Sequence, residues 1–269
     1  VNNSFESAEE QAAFDVYDAN NINPLYGFFV ARAGLGASES MRSKLAEYND
    51  PRLSRAFITK QGTSGKEQAP GTADNAVYAP NGTPEQGTSK YGTSLFMYSI
   101  SAPTLLLSYH ELKFLEAEAL CRLERDAKSA LKDAVVAGLL NAENSFTISR
   151  KELGKTLINA ASSITEAEAE SYFDNTIEAK YTAEPLKTTM TQKYFALWGA
   201  SGEATESYND VRRMKGLGEN FIELKNPNSF PLRCPYGNSD TTTNAEVKAA
   251  YGNGQYVYSE NVWWAGGSR

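Results

Sequence analysis

Few side chains in this sequence stand where they could act chemically on a substrate. His110 is the only histidine, and no Cys or His lies at ligand spacing from it, so a structural role outweighs a catalytic or metal-binding one. It leaves a Ser-His-Asp set with one candidate base, and no nucleophile elbow lies nearby. Glu166, Glu168 and Glu170 alternate along a helix and should diverge, reading as a solvated face. A glycosidase pair drawn from distant segments stays open. Gly34-Leu35-Gly36 and Gly216-Leu217-Gly218 lack the strand and third glycine of a dinucleotide fingerprint. Asn238 to Asn244 carries oxygen-bearing side chains without a calcium-loop pattern. Arg212-Arg213 can bind an anion or offset a helix dipole. No catalytic set, metal site or cofactor motif emerges.

What remains is chemistry of contact. The chain holds 15 Tyr against 3 Trp and 12 Phe, with many Asn, Thr and Gly, a mixture suited to stacking on a polar ligand and hydrogen-bonding it. Tyrosines also commonly line the rim of a core. Tyr78, Tyr91 and Tyr98, with Asn75 and Asn81, fall in one glycine-punctuated stretch and form the candidate ligand set. Tyrosine rings can cover the C–H faces of a sugar, and Asn amides both donate to and accept from its hydroxyls. The competing role is to pin that stretch to the helices. A net charge of -7 argues against a nucleic-acid partner, which would require clustered Lys and Arg. Cys121 and Cys234 are too few and too far apart for a disulfide framework or zinc site. No apolar run is long enough to cross a membrane, and no signal-peptide pattern is read from these residues.

The elements that must hold these residues are helices. Ser108 and Glu111 have capping-box spacing, Leu107 and Leu112 have staple spacing, and together they start a helix at Tyr109. Leu112, Leu115, Ala119 and Leu123 follow at steps of three and four, which predicts that Leu115 is buried. Glu118 and Arg122 form a favourable surface pair. Asp126, the pairs Ser149/Glu152 and Thr165/Glu168, and Pro185 mark further starts. The predicted helices are 109–123, 126–140, 150–161, 166–179, 186–199 and 203–214. Shorter ones are expected over Phe5–Tyr17 and Ser38–Tyr48. The fold class is mainly α, with tetratricopeptide-like helical hairpins and long irregular loops, although no clean repeat of about 34 residues is found.

The chain reads as a single region, 1–269. Residues 1–104 are loop-rich and hold the probable ligand face, 105–215 form helical hairpins, and 216–269 are an irregular aromatic tail expected to pack back. Glycines and prolines punctuate 60–104, and its aromatics mark it as an ordered excursion.

Several segments taken in order resemble the SusD/RagB family. They are Asn49-Asp50-Pro51-Arg52-Leu53, Ala102-Pro103, and Ser108-Tyr109-His110-Glu111 running on to Ala119. Gln192-Lys193-Tyr194-Phe195-Ala196-Leu197, Glu203, Tyr208 to Arg213, Pro231 to Tyr236, Asn244 and Val262-Trp263-Trp264 follow. The resemblance implies a surface lipoprotein of the Bacteroidetes outer membrane. Such a protein captures glycans, or peptides in some branches, and passes them to a SusC-like TonB-dependent transporter. It implies no enzymatic activity and a ligand face in loops ahead of the Ala-Pro stretch. Whole members are roughly twice as long. The lipid-bearing cysteine and first hairpins have no counterpart here, so the sequence looks like the C-terminal half, and membrane attachment would come only through an anchor absent from it.

Overall fold

In the computed structural model, the ring of Tyr17 and the start of the first long helix are tied together by a short antiparallel ribbon. Residues 5–32, 36–60, 67–68, 78–82, 91–153, 162–225 and 229–267 are described. Strand β1 (Ala12–Phe14) pairs with Thr104–Leu107, and Tyr17 Oη lies 3.1 Å from Thr104 Oγ1. The helix expected over Phe5–Tyr17 is therefore replaced by one 3₁₀ turn (Ala8–Glu10) and this strand. The strand pairing joins residues about ninety positions apart and overrides a local Ala/Glu preference that was weak to begin with.

Helix α1 (Pro24–Arg32) starts on a proline, and Asn23 Oδ1 accepts from Leu25 N at 2.8 Å. Helix α2 (Glu39–Glu47) is capped by Ser38, whose hydroxyl accepts from Met41 N. A small antiparallel sheet follows in the order β3 (Glu67–Gln68), β2 (Phe57–Lys60), then β4 (Thr93–Ser94). The glycine-rich excursion is thus sewn to the body by strands. Strand β5 (Thr104–Leu107) is the partner of β1 and leads into α3 (Tyr109–Arg122). Ser108 caps α3, its hydroxyl accepting from Glu111 N at 3.0 Å.

Helix α4 (Lys128–Leu153) is one continuous helix where two were expected, at 126–140 and 150–161; residues 154–161 lie outside the described residues. Ser149 explains the difference. Its hydroxyl donates to Ser145 O at 2.9 Å, one turn back, and lies 2.6 Å from Ser99 Oγ, with the residue fully buried. A serine that is satisfied within a helix has no need to cap one. Glu143 accepts from Ile164 N at 3.0 Å and pairs with Arg150, tying the end of α4 to the next segment. The expected helix 166–179 is α5 (Glu166–Tyr172), a π-helical turn (Phe173–Ile177) and α6 (Glu178–Ala183). Thr165 caps α5 as its spacing predicts. Helices α7 (Pro185–Ala196) and α8 (Ala204–Gly216) match the expected 186–199 and 203–214 within a few residues at their ends. A Cβ at Gly138 would lie 2.9 Å from Ala196 Cβ, so this glycine permits α4 and α7 to touch. The chain is mainly α, as its capping signals imply.

Val1–Leu224 forms one compact unit and Lys225–Arg269 a second. The first holds an apolar core around Phe96, Phe114, Leu131, Leu139, Phe146, Phe173 and Phe195. The second has two short helices, α9 (Asn238–Thr243) and α10 (Ala245–Tyr251). Tyr236 and Tyr251 stack there at 4.4 Å, and the Arg233 guanidinium sits over Tyr236. Cys121 and Cys234 are free thiols.

The inward face of α3 is not the leucine stripe. Leu115 is 41% exposed and Leu123 63%, while His110, Glu111, Phe114, Ala117 and Glu118 are buried. The charges on that face are met by other helices. Glu118 receives Arg122 at 2.6 Å from its own helix and Arg213 Nη2 at 2.8 Å from α8. Burial opposes its ionisation, but the two guanidiniums outweigh that and hold its carboxyl below the usual value. His110 Nε2 lies 3.2 Å from Glu203 Oε2, in ion-pair range though poorly aligned for a hydrogen bond, and Ser201 Oγ donates to the same oxygen at 2.8 Å. Lys193 reaches Asp210 at 2.7 Å. Arg52 donates to both oxygens of Asp50, at 2.8 and 2.7 Å, and to Phe195 O at 2.8 Å, with both side chains almost fully buried. These residues form a polar seam between the loop after α2, α3, α7 and α8.

Candidate functional site

The loop face is assembled on α2. Backbone bonds Ala79 N to Ala37 O (2.8 Å), Glu39 N to Ala79 O (3.0 Å) and Ala37 N to Gly92 O (2.7 Å) fasten residues near Tyr78 and Tyr91 to the helix entry. Tyr78 is half-buried there. Its ring meets Phe57 edge-on at 5.4 Å, and the Arg42 guanidinium lies 5.1 Å from its centre. Burial raises its phenol above the ordinary value, against the pull of Arg42, so it stays a neutral donor at physiological pH. Asn81 is exposed beside it, its Oδ1 accepting from Ser38 Oγ at 3.0 Å.

The other candidates separate from this pair. Tyr91 is 6% exposed. Tyr98 is half-buried and packs edge-on against Phe29 of α1 at 5.1 Å. Asn75 lies outside the described residues. Within the set, Tyr78 and Asn81 are thus held on α2 through Arg42 and Ser38, while Tyr98 faces α1.

Sequence reasoning placed Trp198 and Tyr194 in an apolar helix stripe and did not consider them as ligand residues. Trp198 packs on Phe57 at 5.4 Å and Phe96 at 5.0 Å, so it shares the Phe57 ring with Tyr78. With Met41, Tyr194, Tyr208 and Val211 it lines a cavity of about 250 Å³ among α2, α7 and α8. Tyr194 and Trp198 stand four apart, and Tyr208 shares a helix with Val211; an aromatic on each of two neighbouring helices was the available signal. The expected diverging glutamates divide in the structure: Glu168 accepts two bonds from Arg55 Nη2 at 2.9 Å, while Glu166 and Glu170 face elsewhere. Arg213 is committed to Glu118 and Asp210, and Arg212 stacks on Tyr208. Among the described residues no cluster of His, Cys, Asp and Glu could hold a metal ion, and no helix is long and apolar enough to cross a membrane.

Paired helices carrying a loop-built aromatic face define a helical binding scaffold. The chain belongs to the SusD-like family, whose description, "Starch-binding associating with outer membrane", is matched over residues 1–236. A SusD/RagB family protein from Bacteroides thetaiotaomicron VPI-5482 is 65% identical, with a TM-score of 0.87 over 99% of this chain and 57% of that one. A SusD homolog from Bacteroides fragilis NCTC 9343 shares 19% identity, with a TM-score of 0.63 over 94% of this chain and 57% of that one. A chitin-binding protein shares 21%, with a TM-score of 0.58 over 97% of this chain and 58% of that one. The chain therefore spans between half and two thirds of these relatives. No curated protein matches it. The SusD/RagB family is generally a non-catalytic binding family associated with the outer membrane.

Proposed function

We propose that this chain is the ligand-bearing part of a non-enzymatic, surface-exposed nutrient-binding protein that captures glycans. Its cargo passes to a SusC-like TonB-dependent transporter in the outer membrane. The observation that carries this reading is the aromatic surface on α2, where Tyr78 and Arg42 stand beside the cavity lined by Tyr194, Trp198 and Tyr208. Aromatic rings with a few placed polar groups are the usual makeup of a small-ligand site. The proposed ligand face comprises Tyr78, Tyr91, Tyr98, Asn75 and Asn81. Tyr78 and Asn81 supply direct contact, and Tyr91 and Tyr98 hold the loop in place. The 65% identity to a SusD/RagB protein supports the family role.

The test is parallel screening of the protein on a glycan array and a peptide array. Saturable binding to one class of oligosaccharide, without turnover of the bound glycan, is expected. Binding confined to peptides would replace the reading with peptide capture, and release of shortened glycans would make the protein a hydrolase.

A further inference from the structure

A second concavity shares no lining residue with that surface, and nothing above assigns it. It is a groove of about 580 Å³ bounded by α4, the first turns of α3 and α5, and the amino-terminal segment near Glu6. Its floor is the half-exposed strip Val136, Ala137 and Leu140, three residues on one side of α4. Tyr109 closes one end, and the amides of Asn141 and Asn144 line the wall. An apolar floor, a phenol ring and two amides suit a hydroxylated ring with C–H faces.

The charge of the groove narrows the ligand further. Glu6, Asp133, Glu166 and Glu170 all line it, and none of these carboxylates takes part in an ion pair among the described residues. Its one lysine, Lys132, is already held by both oxygens of Asp174 at 2.8 and 2.9 Å, and Asp174 is not part of the lining. His110 touches the groove but is buried, with Nε2 turned toward Glu203. The groove therefore presents carboxylates that no cation among the described residues contacts, with Lys132 and Lys113 acting on Glu170 and Asp133 only beyond ion-pair range, next to a sugar-compatible floor. We propose that it is a second saccharide site that takes amino sugars, in which a protonated primary amine sits between Asp133 and Glu170 while ring hydroxyls meet Asn141 and Asn144. This inference rests on the reading that the protein binds glycans. Oligomers of uronic acids should be rejected by like charge.

The test compares a short glucosamine oligomer with its N-acetylated counterpart of equal length, at about pH 6, where carboxylates are ionised and amines protonated. Titration calorimetry should show the glucosamine oligomer bound about tenfold more tightly, the scale of one or two partly exposed ammonium–carboxylate contacts. Asp133→Asn with Glu170→Gln should erase that preference. Glu47→Gln with Glu124→Gln, the same charge change at exposed positions outside the groove lining, should leave it intact. Equal affinity for the two oligomers in the unaltered protein would overturn the proposal, as would a preference that survives the groove variant or is lost equally in the control. Both variant pairs are at exposed positions, and matched thermal melts confirm that any loss is not unfolding. Tyr78→Ala separates this site from the first reading: loss of neutral-glycan binding with the amine preference retained supports both, whereas loss of the amine preference with Tyr78 would place the amine at the loop face and overturn the groove.

Discussion

The polar seam and the tyrosine face are built from opposite materials. In the seam, mostly buried charges are met in pairs, within the loop after α2 for Asp50 with Arg52 and across helices for Glu118 with Arg213, Lys193 with Asp210 and Glu203 with His110. At the tyrosine face, Tyr78 and Tyr98 are only partly buried and Asn81 is exposed. The segments that carry the family resemblance, Asn49 to Leu53, Ser108 to Ala119, Gln192 to Leu197 and Tyr208 to Arg213, supply most of the seam. The face comes from the intervening loops. A buried pair tolerates few substitutions because removing one partner strands the other in a low-dielectric interior. A ring on a loop can be exchanged at little structural cost, so the face proposed to meet ligand can vary on a common scaffold.

Breaking the seam should therefore cost more than altering the face. Arg52→Ala leaves Asp50 buried without its guanidinium and removes one of the donors to Phe195 O, and a loss of about 3–5 kcal/mol in chemical denaturation is expected. A loss under about 1 kcal/mol would mean that water replaces the arginine without penalty.

Acid should weaken the seam next. Glu118 and Glu203 are both held below their ordinary value of 4.5: in each, burial opposes ionisation and is outweighed, by Arg213 and Arg122 in one and by His110 with Ser108 and Ser201 in the other. Carboxylates of this kind add stability above the unfolded value and lose it as pH falls through the folded one. Stability should therefore decline below pH 4.5, and Glu203→Gln should make the decline shallower. Glu111 acts in the opposite sense, because burial pushes its carboxyl up and its contribution is lost as pH rises through that raised value. An unchanged acid limb in Glu203→Gln would remove Glu203 from the account.

The smallest effect is expected outside the seam altogether. Leu115→Ala, on the exposed side of α3, should cost about 1 kcal/mol or less, and a loss of several kcal/mol would show that this leucine is covered in solution.

Local signals carried much of the fold. Ser108 and Thr165 each cap the helix their spacing predicts, because a cap is a contact over three residues and needs no distant partner. Ser149 shows the limit of that logic. The same spacing lies inside α4, and its meaning is decided by Ser99, fifty positions earlier. Leu115 fails for a related reason. An apolar stripe predicts burial only if the competing face stays wet, and the charged face of α3 is buried by Arg213, ninety-five positions from Glu118. The candidate tyrosines were legible as a group, but their neighbours were not. Phe57, Phe29 and Arg42 decide which ring anchors and which stays available, and no local pattern links them to Tyr78 or Tyr98.

The central claim is that the loop face on α2 holds the glycan while the seam only supports it. Titration calorimetry of Tyr78→Ala combined with Asn81→Ala, against an oligosaccharide that the unaltered protein binds, tests this most directly. The account predicts a loss of affinity of about tenfold or more, the scale of one lost aromatic contact with its hydrogen bond, and a melting curve close to that of the unaltered protein. Unchanged affinity in the folded variant would contradict it and move the site away from α2.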